Sequence, residues 1–239
     1  MLGKCWSTSV VRRKGHVQLE SETGMRRYDR FDRPFLALIA VAAWILLGLQ
    51  TEITTRDVMG AGGSLASGLL EVFSYFTELT SLVVAVVATV RLCRREGARL
   101  GGPEAMAAAT VYVCMVGVIY GVLLRNSWAP TGWQLVADVG QHYVMPVLFL
   151  LYWLIFVRKG MLRWRQPVVW LIYLLVYVAY GLMYGRVTGR YFYYFADVGA
   201  LGYPRAVAHI AMVVVAFLVA GLIAVGVDRE MGRRVSVLD

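Results

Sequence analysis

The stretch AVAHIAMVVVAFLVAGLIAVGV at residues 206–227 decides the fold class of this protein. It contains one histidine and no Asp, Glu, Lys or Arg across 22 residues. A helix needs about 20 mainly apolar residues to cross the hydrocarbon core of a bilayer. The stretch therefore predicts a membrane-spanning helix, and five more stretches of similar character precede it. They are about 35–50, 68–90, 105–124, 133–157 and 168–184.

The composition of the chain excludes a single soluble domain. Hydrophobic residues make up 59% and charged residues 16%, whereas roughly a quarter of a typical soluble domain is charged. One core of this size cannot bury so much apolar side chain, and the mean hydropathy of +0.62 indicates lipid as the surrounding medium. We predict an all-α membrane protein with six transmembrane helices over 34–228, a basic N-terminal segment over 1–33 and a short tail over 229–239.

The 24 Lys and Arg residues, which leave a net charge of +9, are distributed unevenly between the two ends of the predicted spans. Nineteen lie in the N-terminal segment, the second and fourth loops and the C-terminal tail, and five lie in the other three loops. Cytoplasmic loops are enriched in Lys and Arg, so this split predicts that both termini are cytoplasmic. We expect the charge to face membrane lipid headgroups, and we expect no nucleic acid partner.

The second span carries hydroxyl and carboxyl side chains at membrane depth. Ser74, Thr77 and Ser81 have the spacing that places residues on one face of a helix, and Glu71 and Glu78 flank that face. Ionisable residues inside a membrane are costly and often functional. The alternative is that these groups hold the helix to its neighbours through interhelical hydrogen bonds.

The fourth span contains a carboxylate, an imidazole and a proline at intervals of four residues. Asp138 precedes His142 by four, so the carboxylate can reach the ring, fix its tautomer and stabilise the imidazolium. Pro146 lacks the N–H that would bond to the carbonyl of His142, which predicts a kink there. The alternative is a histidine that only bonds to a neighbouring helix.

Thr77 and His142 are predicted to lie at the same depth. Both spans run inward from the outer side, and each residue is about nine positions into its span, or about 13 Å at 1.5 Å per residue. A hydroxyl beside an imidazole is the minimum apparatus for acyl transfer. The sequence therefore predicts Thr77 as nucleophile and His142 as general base in the outer half of the membrane, with Ser74 and Ser81 as rival nucleophiles.

Two further patterns concern the outer loops and helix packing. The stretch GRYFYYFADVGALGY at 189–203 is either an interfacial aromatic belt or a re-entrant lid over the cavity, with Asp197 and Tyr194 as polar groups. In the third span, Gly117 and Gly121 form a Gly-x-x-x-Gly pattern, which is typical of close helix packing.

Three motifs resemble one family of membrane enzymes. They are YFTELTSLV at 75–83, HYVMP at 142–146 followed by LYWLIF at 151–156, and YFYYFADVGALGY at 191–203. In this order they resemble the androgen-induced membrane hydrolase family and its bacterial six-span relatives, over roughly residues 30–228. The chain departs from the bacterial pattern at Ser81, where an asparagine is usual, and at Tyr191-Phe192, where Tyr-Pro is usual.

The resemblance implies a hydrolase of fatty acid esters, integral to the bacterial plasma membrane, with Thr77 as nucleophile and His142 as its partner. The substrate implied is a lipid ester, and no cofactor is implied. The three histidines are too widely separated in the sequence for a metal site. The supporting polar residues predicted for the cavity are Asp138, Glu78, Ser81, Ser74, Asp197 and Tyr194.

Two other classes of function stay open at this point. A small proton-coupled transporter would use the ionisable groups of the second and fourth spans as a proton relay. Those groups are Glu71, Glu78, Asp138 and His142. A lipid-binding membrane protein without chemistry is the third alternative.

Overall fold

A computed structural model describes the backbone of residues 12–93, 99–127 and 129–238. Part of the predicted N-terminal segment, residues 1–11, lies outside the described residues, as does Asp239. The described part is helical, with short connections and no strand. Its α-helices are α1 (Arg12–Gly60), α2 (Leu65–Val72), α3 (Phe76–Cys93), α4 (Pro103–Ile119), α5 (Gly132–Val139), α6 (Met145–Phe156), α7 (Gln166–Thr188), α8 (Val198–Leu201) and α9 (Tyr203–Leu238).

Six helical segments are long and apolar enough to cross a membrane, which confirms the prediction of an all-α protein with six such helices. The first and fifth are longer than the hydropathy pattern indicated, because residues on both sides of each apolar stretch, many of them polar, continue the helix. The six segments are Arg30–Gly60, Phe76–Cys93, Pro103–Leu124, Gly132–Phe156, Gln166–Thr188 and Tyr203–Arg234.

Helix α4 lies at the centre of the packed helices. It contacts α3, α6 and α9, and its residues Met106, Ala107 and Ala109 are completely buried. The outward faces of the other spans expose Leu, Val and Ile side chains, as expected where lipid covers the surface.

The second span is broken, where the sequence predicted one continuous helix over 68–90. Helix α2 ends at Val72 and α3 begins at Phe76. The Ser74 hydroxyl donates to the Leu70 carbonyl at 2.6 Å, and the Ser74 N–H bonds only three residues back, to Glu71. Local hydrogen bonds of this kind compete with the helical ladder. Ser74 consequently lies outside α3 and does not share a helical face with Thr77 and Ser81.

Two tyrosines from distant parts of the chain replace the hydrogen bonds lost at this break. The Tyr177 hydroxyl donates to the Ser74 carbonyl at 3.0 Å, and the Phe76 N–H donates to the Tyr193 hydroxyl at 3.2 Å. Buried backbone groups need partners of this kind. The break is therefore built into the fold by α7 and by the segment 189–203.

The fourth span contains a π-helix over Gly140–Val144, between α5 and α6. The Met145 N–H donates to the Gly140 carbonyl, five residues back. Because Pro146 has no N–H to donate to His142, the ladder changes register just before the proline. The third span ends in a second π-helix, Tyr120–Leu124. There the Arg125 N–H donates a hydrogen bond to the Tyr120 carbonyl, five residues back.

Candidate active site

A largely apolar cavity lies between α3, α4, α7 and α9, and the segment 189–203 forms part of its wall. Together with the open space at its mouth, the cavity has a volume of about 760 Å³. Thr77 and His142 both line it. The polar side chains of the wall are Thr77, Tyr120, His142, Tyr177, Tyr191 and Tyr193.

The ring of His142 is held in one orientation. Its Nδ1 lies 3.0 Å from the backbone carbonyl oxygen of Asp138, and a carbonyl can only accept a hydrogen bond. Nδ1 therefore carries the proton of the neutral imidazole, which leaves the lone pair on Nε2. The ring also stacks on Tyr120, with centroids 3.8 Å apart and planes at 18°. This is the tautomer in which Nε2 can act as a general base.

The carboxylate of Asp138 completes the surroundings of the imidazole. Its Oδ2 accepts a hydrogen bond from the Tyr120 hydroxyl at 2.7 Å, and its Oδ1 lies 3.4 Å from Nδ1 of His142. Asp138 is 4% exposed, so its charge acts on the ring with little screening by water. An imidazolium formed when His142 takes a proton is stabilised by this arrangement.

Thr77 is the second residue of α3, directly after the break in the second span. The first amides of a helix lack intrahelical acceptors, and the positive end of the helix dipole lies there. A negative charge that develops on or near the Thr77 hydroxyl is therefore stabilised. The Thr77 side chain is also in contact with the Tyr193 hydroxyl.

Three other predicted polar residues of the second span lie away from the cavity wall. Glu78 is buried and accepts a hydrogen bond from the Gln141 amide at 2.9 Å. Ser74 lies in the break, 2.7 Å from the Tyr180 hydroxyl. Ser81 is half-buried in α3. Neither serine lines the cavity that contains His142.

The aromatic segment contributes rings to the cavity wall, but not through the two residues that the sequence singled out. Asp197 caps the start of α8, where its Oδ1 accepts from the Ala200 N–H at 3.0 Å. Tyr194 is 54% exposed and donates to the Leu123 carbonyl. The wall is formed instead by Tyr191, Phe192, Tyr193, Phe195 and Ala196.

Two tyrosines of the site were not predicted from the sequence. Tyr120 lies inside the Gly-x-x-x-Gly pattern, which drew attention only to its glycines. Tyr193 is one of five aromatic residues in a row, and no periodicity indicates which of them faces inward. Desolvation raises the pKa of Tyr193 to about 12, so its hydroxyl keeps its proton and is able to donate a hydrogen bond.

Comparison of this chain with protein-family models, with curated proteins and with solved structures gave no match. The resemblance to the membrane hydrolase family therefore rests on the three motifs alone. Among the residues that the structure describes, no three His, Cys, Asp or Glu side chains are grouped so as to hold a metal ion.

Proposed function

We propose that this protein is a membrane-embedded hydrolase of lipid esters, with Thr77 as nucleophile and His142 as general base. The observation that carries the proposal is that both residues line one largely apolar cavity. Because Nδ1 of His142 carries the proton, Nε2 can accept one as a general base requires. The buried carboxylate of Asp138 stabilises the imidazolium that results. An apolar wall suits the acyl chain of a lipid ester.

The reaction takes place in two halves. In the first, the Thr77 hydroxyl oxygen bonds to the acyl carbon while its proton passes to Nε2 of His142. The ester C–O bond then breaks, and the leaving alkoxide takes that proton. In the second half, water attacks the threonyl ester with His142 again as base, which releases the fatty acid and restores the Thr77 hydroxyl.

The charge distribution orients this site in the membrane. The orientation that places the Lys and Arg excess in the cytoplasm has both termini inside. It directs the start of α3, and with it Thr77, toward the outer side. The substrate then reaches the cavity from the outer half of a bacterial plasma membrane. The family resemblance points to fatty acid esters of hydroxy fatty acids as the substrate class.

A fluorophosphonate probe for serine and threonine hydrolases tests the proposal on the purified protein. Wild type is expected to be labelled, because the activated Thr77 oxygen attacks phosphorus as it would attack an acyl carbon. Thr77→Ala and His142→Ala are each expected to reduce the labelling rate at least 100-fold, since nucleophile and base act together. Thr77→Ser retains a hydroxyl and is expected to remain labelled.

Thr89→Ala is the matched control for this experiment. Thr89 lies on the same helix as Thr77, but its hydroxyl bonds to the Ala85 carbonyl and accepts from the Trp44 indole, away from the cavity. Labelling of Thr89→Ala should equal that of wild type. An unlabelled wild type, or labelling that persists in Thr77→Ala, contradicts the proposal.

One observation favours a second candidate, a small proton-coupled transporter. Glu78 is a carboxyl buried within a membrane span, with a neutral amide from Gln141 as hydrogen-bond partner. Ionisable groups in such places mark proton pathways in transporters. The hydrolase is preferred because Glu71 lies in α2, before the break in the second span and 3.4 Å from Arg190, so the four groups are not gathered at one site. A transporter, like a lipid-binding protein without chemistry, is not labelled by the probe.

A further inference from the structure

Tyr193 occupies a fixed position in the wall of the cavity. Its ring stacks on Phe195, with centroids 5.2 Å apart and planes at 15°. Tyr75 packs edge-on against it at 6.3 Å and 84°, and Tyr177 lies on another side at 6.4 Å. Rings packed from several sides hold the hydroxyl in one place, as a catalytic group requires.

The hydrogen bonds around the Tyr193 hydroxyl determine what its proton can do. The Phe76 N–H donates to its oxygen at 3.2 Å. The Tyr177 hydroxyl donates a hydrogen bond to the Ser74 carbonyl at 3.0 Å. The Tyr193 hydroxyl lies beside the hydroxyls of both Tyr177 and Thr77. Thr77 and Tyr193 both line the cavity, so the Tyr193 proton is within reach of an oxygen that becomes negative next to Thr77.

We infer that Tyr193 is a catalytic residue, whose hydroxyl donates a hydrogen bond to the oxyanion that forms when Thr77 attacks the ester carbonyl. This inference rests on the proposed hydrolase function. As the bond from the Thr77 oxygen to the acyl carbon forms, the π electrons of the C=O bond move onto the carbonyl oxygen. That oxygen becomes negative and accepts from Tyr193. When the ester C–O bond breaks, the electrons return and the carbonyl re-forms.

The apolar wall makes such a donor necessary. Most of the residues that line the cavity are apolar, so the effective dielectric constant is low and a developing negative charge is poorly stabilised without a donor. A donor that is already in place costs no reorganisation at the moment of reaction. Tyr193 and the first amides of α3 lie on the same side of the site, because the Phe76 N–H holds the Tyr193 oxygen.

Steady-state hydrolysis of a fatty acid ester of a hydroxy fatty acid by full-length protein in detergent tests this inference. Tyr193→Phe keeps the ring and removes only the hydroxyl. It is expected to lower kcat by about 10²–10³, the effect of removing one oxyanion donor elsewhere. KM should change less than threefold. Affinity for a long-chain trifluoromethyl ketone, which forms a tetrahedral adduct with the nucleophile, should fall in parallel with kcat/KM. Affinity for the matching non-hydrolysable ether should not change.

Tyr184→Phe is the matched control. Tyr184 lies on α7 and stacks on Phe192 at 4.5 Å, outside the residues that line the cavity, so its activity should equal that of wild type. A Tyr193→Phe variant with kcat within threefold of wild type overturns the inference. So does a variant whose affinity for the ether falls together with its activity, because Tyr193 would then serve packing alone. A lower unfolding midpoint by itself is expected in either case, since the Phe76 N–H loses its acceptor. A wild type without hydrolysis overturns the hydrolase function itself, which separates the two failures.

Discussion

At the scale of single residues, His142 has three contacts that restrict its ring: a backbone carbonyl, a carboxylate and a stacked tyrosine. The carbonyl of Asp138 alone fixes the tautomer. The carboxylate of the same residue stabilises the imidazolium, so the two tasks are divided between backbone and side chain. Removing the carboxylate should therefore weaken the base without displacing it.

Asp138→Asn tests this division. The Asp138 carbonyl still holds Nδ1, but the negative charge 3.4 Å from the ring is lost. We expect kcat for ester hydrolysis to fall about 10- to 100-fold, less than the 10²–10⁴ that general base catalysis contributes as a whole. KM should stay within threefold of wild type, since Asp138 does not line the cavity.

The control for this variant is Asp57→Asn, which removes an exposed carboxylate near the end of α1. Its kinetics should match wild type. Unchanged kcat in Asp138→Asn would show that the carboxylate has no part in the reaction.

The sequence alone predicted a part of this site. The interval of four residues between Asp138 and His142 predicted that the carboxylate would reach the imidazole, and Oδ1 lies 3.4 Å from Nδ1. Tyr120 was not predicted as a partner of either residue, since its contact depends on how the third span packs against the fourth. Spacing along a helix reports contacts within that helix, and contacts between helices require the fold.

At the scale of helices, the third and fourth spans approach each other at Gly117. A Cβ added to Gly117 would lie 2.7 Å from the His142 carbonyl oxygen and 3.1 Å from Cγ of Pro146. A Cβ added to Gly121 meets nothing within 4 Å. The Gly-x-x-x-Gly pattern therefore marks a close approach at its first glycine only. The π-helix that begins at Tyr120 changes the register between the two glycines.

Gly117→Ala is expected to destabilise the protein by about 1–3 kcal/mol, the usual cost of forcing extra volume into a packed contact. The methyl group meets backbone, which cannot rotate away as a side chain can. A lower midpoint of thermal unfolding in detergent is the measurement. Because the displaced backbone belongs to His142, hydrolysis should fall as well.

Gly121→Ala is the control for Gly117→Ala, and its unfolding midpoint should not fall below that of wild type. Equal midpoints for the two variants would contradict the close approach of the third and fourth spans.

The break in the second span shows why local sequence could not give the whole site. Hydropathy over 68–90 is continuous and predicts one helix. The groups that bond to the Ser74 carbonyl and the Phe76 N–H at the break belong to Tyr177 and Tyr193, more than 100 residues further along the chain. Only the assembled fold brings them to the break, and with them the helix start on which Thr77 lies.

At the scale of the whole molecule, the six spans could be predicted from composition, because the length of each apolar stretch can be read directly from the sequence. The sides of the membrane on which the loops lie are a separate matter, and the Lys and Arg distribution predicts them. For the proposed hydrolase, this orientation decides whether a lipid ester would enter the cavity from the outer or the inner leaflet.

Single cysteines in a background that lacks Cys5, Cys93 and Cys114 test the orientation. Ala61→Cys and Ser127→Cys lie at exposed positions between the first and second and the third and fourth spans. In intact spheroplasts, a membrane-impermeant maleimide should label both.

Met161→Cys, at an exposed position between the fourth and fifth spans, should be labelled only after the membrane is permeabilised. It serves as the inward-facing counterpart of the two outer positions. The reverse pattern of labelling would place both termini outside and the start of α3 toward the cytoplasm.

The π-helix at Gly140–Val144 has a consequence for changes in chain length. Each of its hydrogen-bonded rings encloses one residue more than an α-helical ring does. Deleting one residue within these five removes the extra residue of the wider turn, so α5 and α6 stay in phase across an α-helix that Pro146 still interrupts. The same deletion inside α6 would turn every later residue of that span to a new direction. We therefore expect the fourth span to tolerate a one-residue deletion best within Gly140–Val144. Such a deletion would preserve the helix but disrupt the candidate active site, because His142 lies among these five residues.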